Sequence, residues 1–217
     1  MTLAIFDLDN TLIAGDSDYL WGEYMVENQI VDEKTYRSRN ALFYEDYKSG
    51  RLDNDVYLKF ALEPLSHYSI DQLYQWREDF VNTQILPIVL PAATALLDQH
   101  RERQHDLLIV SATNLFLTQP IAAMLDVHTV LSTEPEIREN RYTGAYLGIP
   151  TYKEGKVKAL QQWLEQTDNN LDGSYFYSDS ITDLALLERV DNAIAVNPDD
   201  ELDAVARQRG WEILDLR

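Results

Sequence analysis

Residues 5 to 12 read IFDLDNTL and place two acids, Asp7 and Asp9, one residue apart at the end of an apolar run. Two carboxylates held close on one face repel each other unless a cation or a shared proton relieves them. Positive charge is therefore expected beside them. Four further side chains with chemical capacity are Ser111 in LLIVSATN, Lys156 in KEGKVKAL, and Asp179 with Asp183 in YFYSDSITD. Four carboxylates, a hydroxyl and an ammonium could hold a hard cation and carry a proton, provided the fold brings them together.

Short apolar and β-branched runs alternate with helical patterns, the signature of a parallel sheet covered by helices. The expected strands are LAIFDL, DLLIVSA, HTVLST, SYFYSD, NAIAVN and WEILDL. Between them PAATALLDQHRER, LTQPIAAMLD, KVKALQQWLEQT, ITDLALLERV and DELDAVARQRG read as helices. RYTGAYLGIPTY, residues 141–152, reads as a hairpin with Gly144 and Gly148 as turn or bulge residues.

Residues 16–87 break the alternation and hold only helical material, so the expected organisation is an α/β core of residues 1–15 and 88–217 with a helical cap of residues 16–87. An insert directly after the first strand sits above the carboxyl edge of the sheet, where open α/β sheets bind ligands. Asp7 and Asp9 end the first strand, and a period of two sends them to the same side if the strand conformation persists. Ser111 ends the second main strand, Asp179 and Asp183 follow the fourth, and Lys156 opens a helix. Parallel strand ends lie along one edge, so these residues can converge there.

Bulk properties limit what such a site serves. The chain has 217 residues, 45% of them hydrophobic, enough for a substantial core. It has no cysteine, which removes disulfides and thiolate metal sites. A formal charge of −19 argues against a nucleic-acid partner. An anionic substrate would be repelled at long range, so a phosphate site here needs a local cation. The opening MTLAIFD lacks a basic leader and its apolar run is too short for a membrane span, so the expectation is a soluble cytoplasmic protein with no membrane partner. Oligomeric state stays open.

The ordered set DLDNT, VSATN, EGKV and YSDSITD resembles the haloacid dehalogenase superfamily of phosphohydrolases, in its phosphoserine-phosphatase-like branch, over nearly the whole chain. One departure is Ser178 before Asp179 where the family often has glycine, expected to alter loop packing more than chemistry. The resemblance implies a Rossmann-like core, Asp7 as nucleophile forming an aspartyl-phosphate, and Asp9 as general acid and then general base. It implies Mg²⁺ held by Asp7, the backbone carbonyl of Asp9 and Asp179, with Asp183 supporting that set or positioning Lys156. It implies Ser111 and Lys156 on phosphate oxygens, Asn10 and the first loop's N–H groups as further donors, and Thr11 as a structural brace. Such a cation relieves the repulsion between the acids.

Each motif alone has a simpler reading. Asp-x-Asp after a strand can be a turn, Ser111 a helix cap, Asp183 a first-turn acid and Lys156 a solvated helix face, with Lys153 competing for the lysine's role. Four in order favour the functional reading.

For the substrate, Asp16 in AGDSDYLWG aligns with the acidic position that phosphoserine phosphatases use near the substrate amine, and Asp18 lies beside it. Ser17 or Asp18 could instead cap a helix starting at Tyr19. Trp21, Tyr24, Phe43 and Tyr47 are candidates for an aromatic pocket, and Arg37, Arg39 and Arg51 for a carboxylate reader. The four histidines have no ligand-like spacing. The pattern is similar to histidinol-phosphatase-like and phosphoserine-phosphatase-like bacterial members, implying a small amine-bearing phosphomonoester, with histidinol phosphate ahead of phosphoserine. The alternatives are a phosphotransferase of the same fold and a receiver-like, phosphorylation-dependent binding module.

Overall fold

The computed structural model describes residues 2–217. After β1 (Leu3–Phe6) come four helices, α1 (Ser17–Glu27), α2 (Glu33–Lys48), α3 (Asn54–Leu62) and α4 (Ile70–Phe80), then α5 (Pro91–Glu102) and β2 (Asp106–Val110). The chain continues through α6 (Leu115–Met124), β3 (Thr129–Leu131), β4 (Glu134–Arg138), β5 (Arg141–Leu147), α7 (Glu154–Glu165) and β6 (Tyr175–Ser178). It ends with α8 (Leu184–Leu187), β7 (Asn192–Val196), α9 (Asp200–Arg209) and β8 (Glu212–Leu214).

Six strands form one parallel sheet in the order β3-β2-β1-β6-β7-β8. Ile5 pairs with Leu108 on one side and Phe176 on the other, so β1 is central. Successive side chains of a strand point to opposite faces, and the core divides accordingly. Ala4, Phe6, Ile109 and Tyr177 pack with Ala93 and Leu97 of α5 and Phe116 of α6 on one face. Leu3, Ile5, Leu108 and Phe176 pack with Val157 of α7, Leu187 of α8 and Leu202 of α9 on the other. This is the expected Rossmann-like α/β sheet, covered on both faces, with an all-helical insert after the first strand.

Local chemistry starts most of these helices. Asp16, Asp32, Asp53, Ser69 and Asp199 each accept a backbone N–H at the start of α1, α2, α3, α4 and α9. Helix α1 therefore begins at Ser17 with Asp16 as its cap, rather than at Tyr19 capped by Ser17 or Asp18. The expected ITDLALLERV helix is a single tight turn followed by the four-residue α8. No helix among the described residues is long and apolar enough to cross a membrane.

The hairpin lies earlier than its sequence suggests. Strands β4 and β5 pair antiparallel, with Glu139 and Asn140 turning at φ 49° and 59°, the backbone twist that two-residue hairpin turns need. Gly144, at φ 82°, lies inside β5 at the register irregularity between the Tyr142 and Tyr146 pairs, the bulge rather than the turn of the two expected roles. A Cβ there would stand 3.6 Å from the Glu63 Cα, so the bare backbone seats against the turn after α3. Tyr146 then reaches Asp55 of α3 through a 2.8 Å hydrogen bond.

The helical insert shares its apolar interior with the sheet. Trp21 packs edge-on against Phe80 at 5.2 Å and Phe116 at 5.6 Å. The chain segments leading in and out are joined by hydrogen bonds from Ala14 N to Ile88 O (2.8 Å) and Leu90 N to Leu12 O (3.1 Å). At the far end of α2, the half-buried Lys153 donates from Nζ to the Gly50 carbonyl at 3.0 Å.

The start of α7 fixes where Lys156 points. Lys153 adopts φ 51°, and a Cβ on Gly155 would lie 1.8 Å from the Pro150 carbonyl oxygen. Gly155→Ala is expected to force this turn apart and cost about 1–3 kcal/mol, the usual range for overpacking, read as a lower urea midpoint with an unchanged m-value.

Candidate active site

Lys156 occupies the centre of the carboxyl edge. Its Nζ donates to Asp7 Oδ1 at 2.7 Å and Asp183 Oδ2 at 2.8 Å, and all three side chains are buried. Burial works against the ammonium's charge, but Asp183 and Asp7 outweigh it and hold the lysine protonated above its ordinary range. Lys153 points away to Gly50, so it does not compete for this position. Ser178 contributes more than packing, contrary to expectation: its hydroxyl donates to Asp183 Oδ2 at 2.7 Å and accepts the Ser180 N–H at 3.2 Å. A glycine could not orient Asp183 in this way.

Asp7 follows the last residue of β1 and keeps the ladder through its N–H to Tyr177 O at 2.9 Å. The strand ends there. Asn10 turns the chain at φ 56°, and Asp7 and Asp9 take different hydrogen-bond partners. Thr11 braces the loop: its hydroxyl lies 3.4 Å from both Asp7 Oδ2 and Asp179 Oδ1. Asn10 borders the opening beside Tyr47 and Asp179, and its carbonyl accepts from Asn197 Nδ2 at 3.3 Å.

Asp9 is held from the other side. Ser17 N–H donates to its Oδ1 at 2.6 Å, while Thr113 Oγ1 at 2.9 Å and Ser111 Oγ at 3.5 Å reach its Oδ2. Ser111 also accepts the Thr113 N–H at 3.1 Å, and its carbonyl accepts Thr151 Oγ1 at 2.7 Å. Burial, reinforced by the charge of Asp16, raises Asp9 to about 6. Burial likewise raises Asp7 to about 7 against the pull of Lys156. Asp179 is pushed well above the usual carboxylate range by burial and by the charge of Asp7.

These carboxylates outnumber the one buried ammonium beside them. Asp7 and Asp179 present oxygens to the same hydroxyl, and the Asp9 carbonyl accepts no hydrogen bond among the described residues. No group of three acid, imidazole or thiol side chains among the described residues is placed to hold an ion unaided. Two carboxylates and a main-chain oxygen are nevertheless hard donors that suit a divalent cation completed by water and substrate oxygens.

Beside Asp9 a pocket opens between the insert and the core. Asp9, Asp16 and Asp18 line it together with Phe43, Tyr44, Tyr47, Tyr57 and Tyr152. Phe43 and Tyr47 are thus where the sequence suggests. Trp21 and Tyr24 are not, being 3% and 4% exposed within the core. None of the three arginine candidates lines the pocket. Arg37 pairs with Glu23 and Glu33, Arg39 lies over the Phe60 ring, and Arg51 pairs with Asp46.

Thr113 has no place in the sequence reading, and Ser17 and Ser178 enter it only as a possible cap and a change in loop packing, although each touches a site carboxylate. Thr113 was open to notice, two residues beyond Ser111 in the same strand-end loop. Ser17 acts through its backbone N–H, which carries no residue signature.

A family model for haloacid dehalogenase-like hydrolases matches residues 4–188. A histidinol-phosphatase of Neisseria meningitidis serogroup C is 40% identical over 219 residues, covering 99% of each chain. A solved Bordetella pertussis protein of unknown function superposes with a TM-score of 0.94 at 38% identity, over the full length of both chains. A substrate-bound phosphoserine phosphatase shares the fold at a TM-score of 0.68 and 16% identity, over 94% of this chain and 89% of its own.

The raised acids determine how stability responds to pH. Asp7 and Asp9 bind protons more tightly folded than unfolded, so their contribution is full below about pH 4 and is lost as pH rises through about 6 and 7. In chelator-treated protein, Asp7→Asn and Asp9→Asn should each flatten this decline between pH 4 and pH 8, measured by urea unfolding.

Proposed function

This chain belongs to the haloacid dehalogenase-like hydrolase family and is a phosphatase, and on that premise we propose that it is a Mg²⁺-dependent hydrolase of a small amine-bearing metabolite phosphate. Histidinol phosphate is favoured over phosphoserine. The observation that carries this reading is the pocket beside Asp9: three carboxylates and an aromatic wall, with no lysine or arginine in its lining. An ammonium or imidazole finds anionic partners there, whereas the carboxylate of phosphoserine finds no cationic one. The name of the 40% identical relative agrees with this preference.

In the proposed mechanism Asp7 attacks phosphorus. A bond forms from its carboxylate oxygen as the ester oxygen leaves, and Asp9 gives its proton to that alkoxide. Asp9 then takes a proton from water as the water displaces the Asp7 oxygen, which returns the carboxylate and releases inorganic phosphate. A group that must be protonated first and ionised later works best near neutrality, which the rise of Asp9 to about 6 supports. Lys156 stays charged and offsets the negative charge gathered at Asp7. Ser111, Asn10 and the N–H groups of the first loop are assigned to phosphate oxygens, and Asp183 holds Lys156. Asp7, Asp179 and the Asp9 carbonyl would hold Mg²⁺, which supplies charge neutralisation for the phosphate oxygens when bound. Residues 16–87 act as the cap that shields the reaction from water.

The test is phosphate release from a panel of small phosphoesters, with and without Mg²⁺. Histidinol phosphate should lead the panel, chelation should abolish release, and Mg²⁺ should restore it. Asp9→Asn is expected to lower kcat by about 10²–10⁴, and Asp7→Asn to abolish covalent trapping of phosphate on the enzyme. Normal turnover by Asp7→Asn, or a preference for sugar phosphates, would overturn the assignment.

A further inference from the structure

Beyond Asp9, two more acids, Asp16 and Asp18, line the same pocket. Asp16 is the strongest charged neighbour of both Asp9 and Asp18. Asp16 is also the cap of α1, with one oxygen accepting the Tyr19 N–H at 2.8 Å. Asp18 is held from the core: Asn114 Nδ2, from the loop that carries Ser111, donates to its Oδ1 at 3.1 Å. Tyr57 of α3 faces Asp18, and Phe43 packs against Tyr57 with ring centres 5.5 Å apart. The pocket lining offers Asp18 no cationic partner.

A leaving group with two cations matches the two acids that line this pocket beyond Asp9. In histidinol phosphate the ammonium stands one carbon beyond the ester methylene, and the imidazole lies further out. Phosphoserine has the same ammonium but a carboxylate in place of the imidazole arm. Resting on the phosphatase reading above, we propose that Asp16 takes the ammonium while Asp18 is the specificity-determining residue, pairing with an imidazole N–H and repelling a carboxylate.

Discrimination then comes from a repulsive element as well as an attractive one. Burial and the charge of Asp16 both raise Asp18. A cationic ring seated beside it removes that penalty, while a second anion increases it.

Two isosteric variants separate the roles. Asp16→Asn should raise KM for both histidinol phosphate and phosphoserine. Asp18→Asn should raise KM for histidinol phosphate by about 30-fold, the loss expected when one partner of a desolvated charge pair is removed. Its kcat/KM for phosphoserine should hold or rise, narrowing the selectivity ratio. Equal losses by Asp18→Asn on both esters and on an aryl phosphate would overturn the proposal, because they would mean that Asp18 acts only through Asn114 on the Ser111 loop. Titration with histidinol provides a readout without turnover: its binding should weaken in Asp18→Asn more than that of ethanolamine, and equal weakening would overturn the proposal. The wild-type panel judges the parent reading by itself, since a wild type inactive on both amine esters rejects that reading before any variant is compared.

Discussion

A single buried ammonium organises the carboxyl edge of this sheet. Lys156 joins Asp7 from the first strand to Asp183 from beyond the sixth, and among the described residues neither acid has another cation within hydrogen-bonding distance. Removing one member of such a group leaves an uncompensated buried charge, typically a loss of about 3–5 kcal/mol. Much nearby geometry serves to hold this group: the bare α-carbon of Gly155, the unusual backbone of Lys153, and the Ser178 hydroxyl on Asp183. The same crowding of anions that is costly without a cation is what prepares the site to receive one.

Asp7 and Asp9 are divided between two support systems. Asp7 belongs to the lysine, whereas Asp9 belongs to α1 and the Ser111 loop through Ser17 and Thr113. Adjacent acids can therefore differ in protonation behaviour. One support of Asp9 comes from the insert, so the seating of α1 and the placement of the proposed proton carrier are one structural event.

The sheet and its carboxyl edge were legible because both follow from local pattern. Apolar runs predict the six strands, parallel topology puts their ends together, and Asp7, Ser111 and Asp179 follow those ends while Lys156 opens α7 beside them. The less legible parts depend on contacts between distant segments. EPEIR, with its proline and charges, does not read as a strand, yet it pairs with RYTGAYL once the turn at Glu139 and Asn140 forms. Helical spacing shows that Trp21, Tyr24 and Tyr47 are on helices, but not which face meets Phe116 and which meets the pocket. The tie between Asp18 and Asn114 spans 96 positions and has no local signature.

The unequal anchoring of the insert has a mechanical consequence. Swinging all of it away from the sheet would expose Trp21, Phe80 and Phe116, at about 1.5–3 kcal/mol for each large apolar side chain returned to water. It would also strip the Gly144 seat from the turn after α3. The tip of α2 carries a lighter load: Gly50 accepts a lysine hydrogen bond from the core, and Tyr47 just before it lies against Tyr152 with ring centres 6.1 Å apart. Parting that tip from the core therefore costs far less than swinging the whole insert.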